Sequence, residues 1–237
     1  MARMLAERGA SELWLSYRSD EEGARKAAAE ITALGAKCHL IQNDLSEEGA
    51  HDRLFDAVTK DSDRLDYYVH NAAATAFKDL ADIKAHHIDK TLNITVKSFI
   101  LGMQRAALLM KDGGAVVTIS GMDTLKAVPR HGLLGAAKSA PETLTMYYAH
   151  EFASKKIRVN GVNPGFIPTD STRKYLGPMF DMVNGMFAEL VPLKREAKLD
   201  EVSEAVLFLL SPRAQWIVGQ TLCVDGGLDY TMLIPAG

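Results

Sequence analysis

A hydroxyl and an ammonium group, those of Ser120 and Lys138, bracket a loop that also carries the titratable His131. Groups of these types can hand a proton to a substrate or steady a developing negative charge. All three lie in residues 116–162, which read as an apolar run, a loop, a helical run carrying Lys138 and a second apolar run. Apolar runs ending in small polar residues read as parallel strands buried on both faces, with the helix as the crossover between them. Ligands of such sheets bind just beyond the carboxyl ends of the strands, so Ser120, Lys138 and the intervening loop should face any site that exists.

This stretch resembles the catalytic centre of the short-chain dehydrogenase/reductase family. The family places a Ser after the strand and a Tyr four residues before an active-site Lys. Here Lys138 keeps its place, but the Tyr position is Leu134, whose alkyl side chain can neither give nor take a proton. The enoyl-thioester reductase branch spaces its Tyr seven residues before the Lys, and that position is His131. The usual Ser position falls on Gly121, one residue beyond Ser120. Asn93 matches the active-site Asn that, by the resemblance, kinks its helix and anchors a water chain to the Lys.

The elements that must position these residues follow the same pattern. At 237 residues and 47% hydrophobic, the chain can bury a large core as one domain, residues 1–237. The resemblance implies a doubly wound, Rossmann-like α/β sheet with helices on both faces. Strands are expected at residues 13–17, 37–42, 65–69, 116–119 and 158–162, with helices over 21–34, 89–110 and 201–210. Local sequence offers two starts for the helix carrying Lys138. Ser139-Ala140-Pro141-Glu142 has the spacing of a capping box with Pro in the first turn, which starts the helix after Lys138. The family pattern starts it earlier, leaves Pro141 inside and kinks it beside the Lys, the version we favour.

A strand and a T-G-x-x-x-G-x-G loop precede the first helix in the family, and neither occurs in this sequence. That loop supplies the backbone N–H groups that hold a cofactor pyrophosphate. Its strand is central in the family sheet, so two strands, residues 13–17 and 65–69, lose their shared neighbour. The expectation is that they pair with each other or flank a segment from another chain, since unpaired buried backbone groups cost about 1–3 kcal/mol each.

Other positions resemble the family's cofactor contacts. Asp44 matches an Asp at the adenine edge, though it equally suits a loop start or a helix cap. Arg18 resembles the Arg that accepts the 2′-phosphate of NADP, against the alternative of a solvated surface residue. Asn71 and Ala72 fall in the N-N-A-G turn, read here as His70-Asn71-Ala72-Ala73, with His70 expected to be structural. Pro164, Gly165 and Thr169 match the P-G-x-x-x-T turn at the nicotinamide end. Residues 170–193, rich in Met and Phe, correspond to a mobile lid over the substrate or to helix-core packing. The closing G-x-x-x-x-V-D-G-G, residues 219–227, ends the sheet in the family.

Two classes of function follow. The first is a non-catalytic subunit that supports an active paralogue of the family, or a second copy of itself, through the helices at 89–110 and 134–153 and the C-terminal segment. It is expected to bind no cofactor and to have little use for Lys138. The second is an NADPH-dependent enoyl- or 3-ketoacyl-thioester reductase whose glycine loop lies upstream of the first Met. His131 would then be the acid, helped by Lys138 and Ser120, and a variant is non-redox acyl chemistry at the same His. A formal charge of −3 without blocks of like charge gives no electrostatic reason to expect nucleic acid or a membrane surface. Cys38 and Cys223 form neither a disulfide framework nor a metal-ligand spacing, so no metal is expected and the cytoplasm is the expected compartment.

Overall fold

Alternation of amphipathic helices with short apolar strands yields a layered α/β fold, described for residues 1–230 in a computed structural model. In chain order the elements are α1 (Ala2–Glu7), β1 (Glu12–Tyr17), α2 (Glu21–Ala33), β2 (Lys37–Gln42), α3 (Ala50–Asp61) and β3 (Tyr67–His70). Then come α4 (Ala85–Leu92), α5 (Ser98–Leu109), β4 (Gly114–Ile119), α6 (Gly132–Glu151), β5 (Ile157–Pro164) and α7 (Asp170–Leu176). The last three are α8 (Phe180–Leu190), α9 (Leu199–Leu210) and β6 (Thr221–Val224). Gly9, at φ +92°, ends the first helix as its position in the sequence suggests. Asp20 caps α2 by accepting from the Gly23 N–H at 3.0 Å, an arrangement worth about 1 kcal/mol.

All strand pairings are parallel, but they form two sheets: β1 with β2, and β3-β4-β5-β6. Direct pairing of residues 13–17 with 65–69 is therefore not what the fold does. Among the described residues β1 pairs only with β2, and β3 only with β4. The helices explain why. Leu5 of α1 packs both on the core that holds Val69 and Val117 and on the core that holds Leu13 and Leu15. On the other side, Trp14 and Ile41 of the small sheet share a core with Tyr68, Phe55, Phe99 and Met103. Closing the sheets onto each other would tear these contacts apart. Each large apolar side chain contributes about 1.5–3 kcal/mol, against about 0.5–1.5 kcal/mol for each ladder hydrogen bond gained.

The helix carrying Lys138 starts at Gly132 and runs through Pro141. The capping-box alternative at Ser139 is overturned, because that hydroxyl donates to the Gly135 carbonyl at 2.9 Å, one turn back inside the helix. Burial of Leu133, Ala137, Tyr148 and Ala149 outweighs the proline penalty of about 3 kcal/mol. Between α4 and α5 the expected long helix is interrupted by a π-helical segment, Asn93–Lys97, so the family's kink falls at the matching Asn.

Candidate active site

The carboxyl end of β4 and the first two turns of α6 carry the chemically competent residues. Ser120 continues the ladder, its N–H bonded to the Val162 carbonyl at 2.8 Å, while its buried hydroxyl has no hydrogen-bond partner. Lys138 is buried and donates to the Ile119 carbonyl at 2.5 Å. Burial pushes its ammonium down to about 8, and the nearby carboxylates of Asp123 and Glu142 oppose that fall.

His131 stands immediately before α6, with Nδ1 3.7 Å from the carboxylate of Asp123. Its Nε2 is buried without a hydrogen-bond partner. Its ring lies 4.9 Å from that of Phe77 and 5.3 Å from that of Tyr175 on α7, centroid to centroid, and the two flanking rings approach to 4.0 Å. The segment expected as a lid thus begins by covering this imidazole. Two glycines make room for Asp123, one for its carboxylate and one for its backbone. A Cβ on Gly121 would stand 2.6 Å from Asp123 Oδ1, and one on Gly135 would stand 2.4 Å from the Asp123 carbonyl oxygen. The acid therefore occupies the volume that a Ser at position 121 would need.

The remaining predicted residues divide between this site and its margins. Arg18 is exposed after β1, close enough to help hold the Asp44 carboxyl low, although bonds from the Ser46 hydroxyl and N–H are the main cause. Asp44 starts a loop and does not cap α3, whose N-terminal boundary residue is Gly49. Asn71 and Ala72 follow β3. Asn93 lines a cavity of about 350 Å³ with Leu45, Lys97 and Arg105, a cavity not lined by Ser120, His131 or Lys138. Pro164 ends β5, and Gly165 borders an apolar cavity of about 140 Å³ with Phe166 and Phe187. The Thr169 hydroxyl caps α7, accepting from the Thr172 N–H at 3.1 Å. Buried His70 packs on Phe99, with Tyr68 and Ser98 hydroxyls at 3.2 and 3.4 Å, and burial together with the Lys138 charge pushes it down to about 3. It is a neutral core residue.

Asp123, Phe77 and Tyr175 were not legible as site residues, since no spacing in the sequence links them to His131. The one available signal was Gly121 in the usual Ser position, a hint that something else needed its space.

The sequence matches the family model for enoyl-(acyl carrier protein) reductase over residues 1–229. It is 36% identical to 1-cyclohexenylcarbonyl-CoA reductase of Streptomyces collinus, over 97% of this chain and 81% of that protein. The chain belongs to the short-chain dehydrogenase/reductase family. A cyclopentanol dehydrogenase of Comamonas sp. is 35% identical over 94% of this chain and 89% of its own. Among solved members of the family, a putative short-chain alcohol dehydrogenase of Sinorhizobium meliloti superposes with a TM-score of 0.89 at 26% identity, covering 98% of this chain and 91% of that one. The angucycline C-6 ketoreductase LanV, solved with bound NADP, shares the fold at a TM-score of 0.88 and 24% identity, over 97% of this chain and 90% of its own.

Groups able to bond the ends of such a dinucleotide occur among the described residues, and a cradle for its middle does not. Arg18 and Asp44 stand at the carboxyl end of the small sheet, and the unpartnered Ser120 hydroxyl stands at that of β4. Among the described residues no glycine loop leads from a strand into a helix to cradle a pyrophosphate. No helix is long and apolar enough to cross a membrane, and no cluster of metal-ligating side chains occurs, again among the described residues.

Proposed function

We propose that the chain is a member of the family that reduces α,β-unsaturated acyl thioesters, with His131 in the role of the missing tyrosine. The observation that carries this reading is the His131–Asp123 pair, set at the spacing from Lys138 that the enoyl-thioester branch uses for its tyrosine. The likeness to the enoyl reductase model and to a CoA-thioester reductase supports the same substrate class.

NADPH, when bound, supplies the hydride to the β carbon of the substrate. Hydride addition there would leave an enolate, with charge on the thioester oxygen and a proton still needed at the α carbon. The Asp123 carboxylate, 3.7 Å from Nδ1, sets a negative charge beside the ring, and Nε2 is the nitrogen that would carry the proton to the α carbon. Ser120 offers a second donor. The cationic form of Lys138 adds positive charge beneath the site. Because Phe77 and Tyr175 cover His131, α7 must lift to admit the acyl group. Hydride and proton together saturate one carbon–carbon double bond.

A second reading rests on the facing edges of β1 and β3. An inactive subunit that supports a paralogue or a second copy of itself would use those edges for a segment of another chain, and the helices α5 and α6 for the main contact. Calorimetric titration with NADPH, followed by NADPH oxidation assays on crotonyl-CoA and acetoacetyl-CoA, separates the readings. Micromolar binding with turnover of crotonyl-CoA supports the reductase. Absence of nucleotide binding rejects it in favour of the supporting subunit.

A further inference from the structure

Behind Asp123 lies a polar knot to which neither family spacing nor the reading above gives a role. Glu142, one turn after Lys138 on α6, accepts through Oε1 from the Thr124 hydroxyl at 3.0 Å and from the Asn163 side-chain N–H at 2.9 Å. Asn163 also donates to the Thr124 hydroxyl oxygen at 2.9 Å, which closes a triangle. Its three members come from the turn after β4, from α6 and from the end of β5. Asn163 is 2% exposed, so its amide has no water to fall back on and the triangle must be kept intact. The Thr124 backbone N–H donates to the Gly121 carbonyl at 3.1 Å, so the residue the knot holds also closes the short turn that presents Asp123.

We propose that Glu142 is a positioning residue of this active site, fixing the turn that holds Asp123 against His131 and setting its own charge beside Lys138. The inference rests on the reading of His131 as proton donor for its functional meaning, but not for its geometry. In a sheet whose usual serine is replaced by Gly121, the turn gains freedom that a side chain would have removed. The bonds to Glu142 restore that constraint. Charge and constraint also separate cleanly by chemistry. A glutamine keeps an acceptor oxygen in place and loses the charge; an alanine loses both; and valine at position 124 removes the gripping hydroxyl while leaving the carboxylate.

The test uses the whole protein without added nucleotide. Lysine labelled with ¹³C at Cε reports the titration of Lys138, assigned by its loss in Lys138→Met, and amide exchange reports the turn at Thr124, Leu125 and Lys126. In Glu142→Gln, Lys138 is expected to titrate at lower pH than in the wild type, while the turn amides exchange at wild-type rates. In Glu142→Ala and Thr124→Val the turn amides are expected to exchange at least about tenfold faster, with Lys138 shifted in the first and close to wild type in the second. Thr124→Val is nearly isosteric, so it keeps the test alive if the alanine variant does not fold. An unshifted Lys138 in Glu142→Gln, or turn amides that exchange at wild-type rates in Thr124→Val, overturns the proposal. His131→Phe leaves the triangle in place, so loss of the proton-donor reading would show in turnover alone and leave these two measurements unchanged.

Discussion

Asp123 Oδ2 lies 3.7 Å from His131 Nδ1, an ion-pair separation longer than a hydrogen bond. Neither that oxygen nor the opposite ring nitrogen has a hydrogen-bond partner, although both are buried. Two groups that could bond are thus held just apart under a cover of two aromatic rings. Catalytic hydrogen bonds are often loose until substrate arrives, and a pair of this kind can tighten when the ring takes up a proton.

The first prediction concerns that ring. His131→Phe keeps the packing against Phe77 and Tyr175 and removes the donor, so crotonyl-CoA turnover should fall at least about 100-fold. His131→Tyr restores a hydroxyl at the branch's own position and should recover most of the rate. Steady-state assays that find His131→Phe as active as the wild type would reject His131 as the acid.

Gly135→Ala tests the space around Asp123. Its new Cβ would meet the Asp123 carbonyl oxygen at 2.4 Å, and backbone cannot yield as a side chain can. A loss of about 1–3 kcal/mol is expected in urea unfolding, in the range of overpacked cores. Gly185, whose Cβ would meet nothing within 4 Å, is the control, and Gly185→Ala should be neutral or slightly stabilising.

Lys138 gives the protein an alkaline signature. Burial lowers its ammonium from 10.5 to about 8 in the fold. Between these values the unfolded chain binds more protons than the folded one, so stability should rise with pH through this window. Below pH 8 the full cost is present, on the order of 3 kcal/mol. Lys138→Met should flatten the rise and stabilise the protein at pH 7 by about 1–3 kcal/mol, less the hydrogen bond lost at the Ile119 carbonyl. Denaturation curves at pH 7 and pH 10 check both statements; a wild type that loses stability across this window contradicts them.

Association through α5 and α6 makes a separate prediction. Leu108 on α5 and Tyr147 on α6 are 66% and 68% exposed, a large apolar offering for two helices of one face. The double variant Leu108→Glu, Tyr147→Glu should elute as a single subunit in light-scattering chromatography while the wild type elutes as an oligomer. Equal masses for the two proteins would remove these helices as the interface.

Much of the frame was legible because it depends on local pattern. The apolar run within Lys37–Gln42, set between Gly35 and Asn43, reads as a strand, and β2 has those limits. The strand expected at residues 65–69 starts late, at Tyr67, because the Leu65 N–H is taken by the Leu109 carbonyl at the end of α5. Ser139 and Pro141 signalled a helix start that packing overrode, as the family pattern implied. The site was legible as far as Ser120, His131 and Lys138. Asp123 and Tyr175 were not, because what places them beside His131 is the tertiary approach of a turn and a distant helix.

Gly121 and Asp123 also constrain how this site could change over generations. A serine at position 121 would bring its Cβ to 2.6 Å of the acid's Oδ1, so the carboxylate would have to turn aside to admit it. A lineage returning toward the family's usual serine would turn that carboxylate from its place beside His131. The two designs therefore compete for the orientation of one carboxylate, and each step between them changes how that group faces His131.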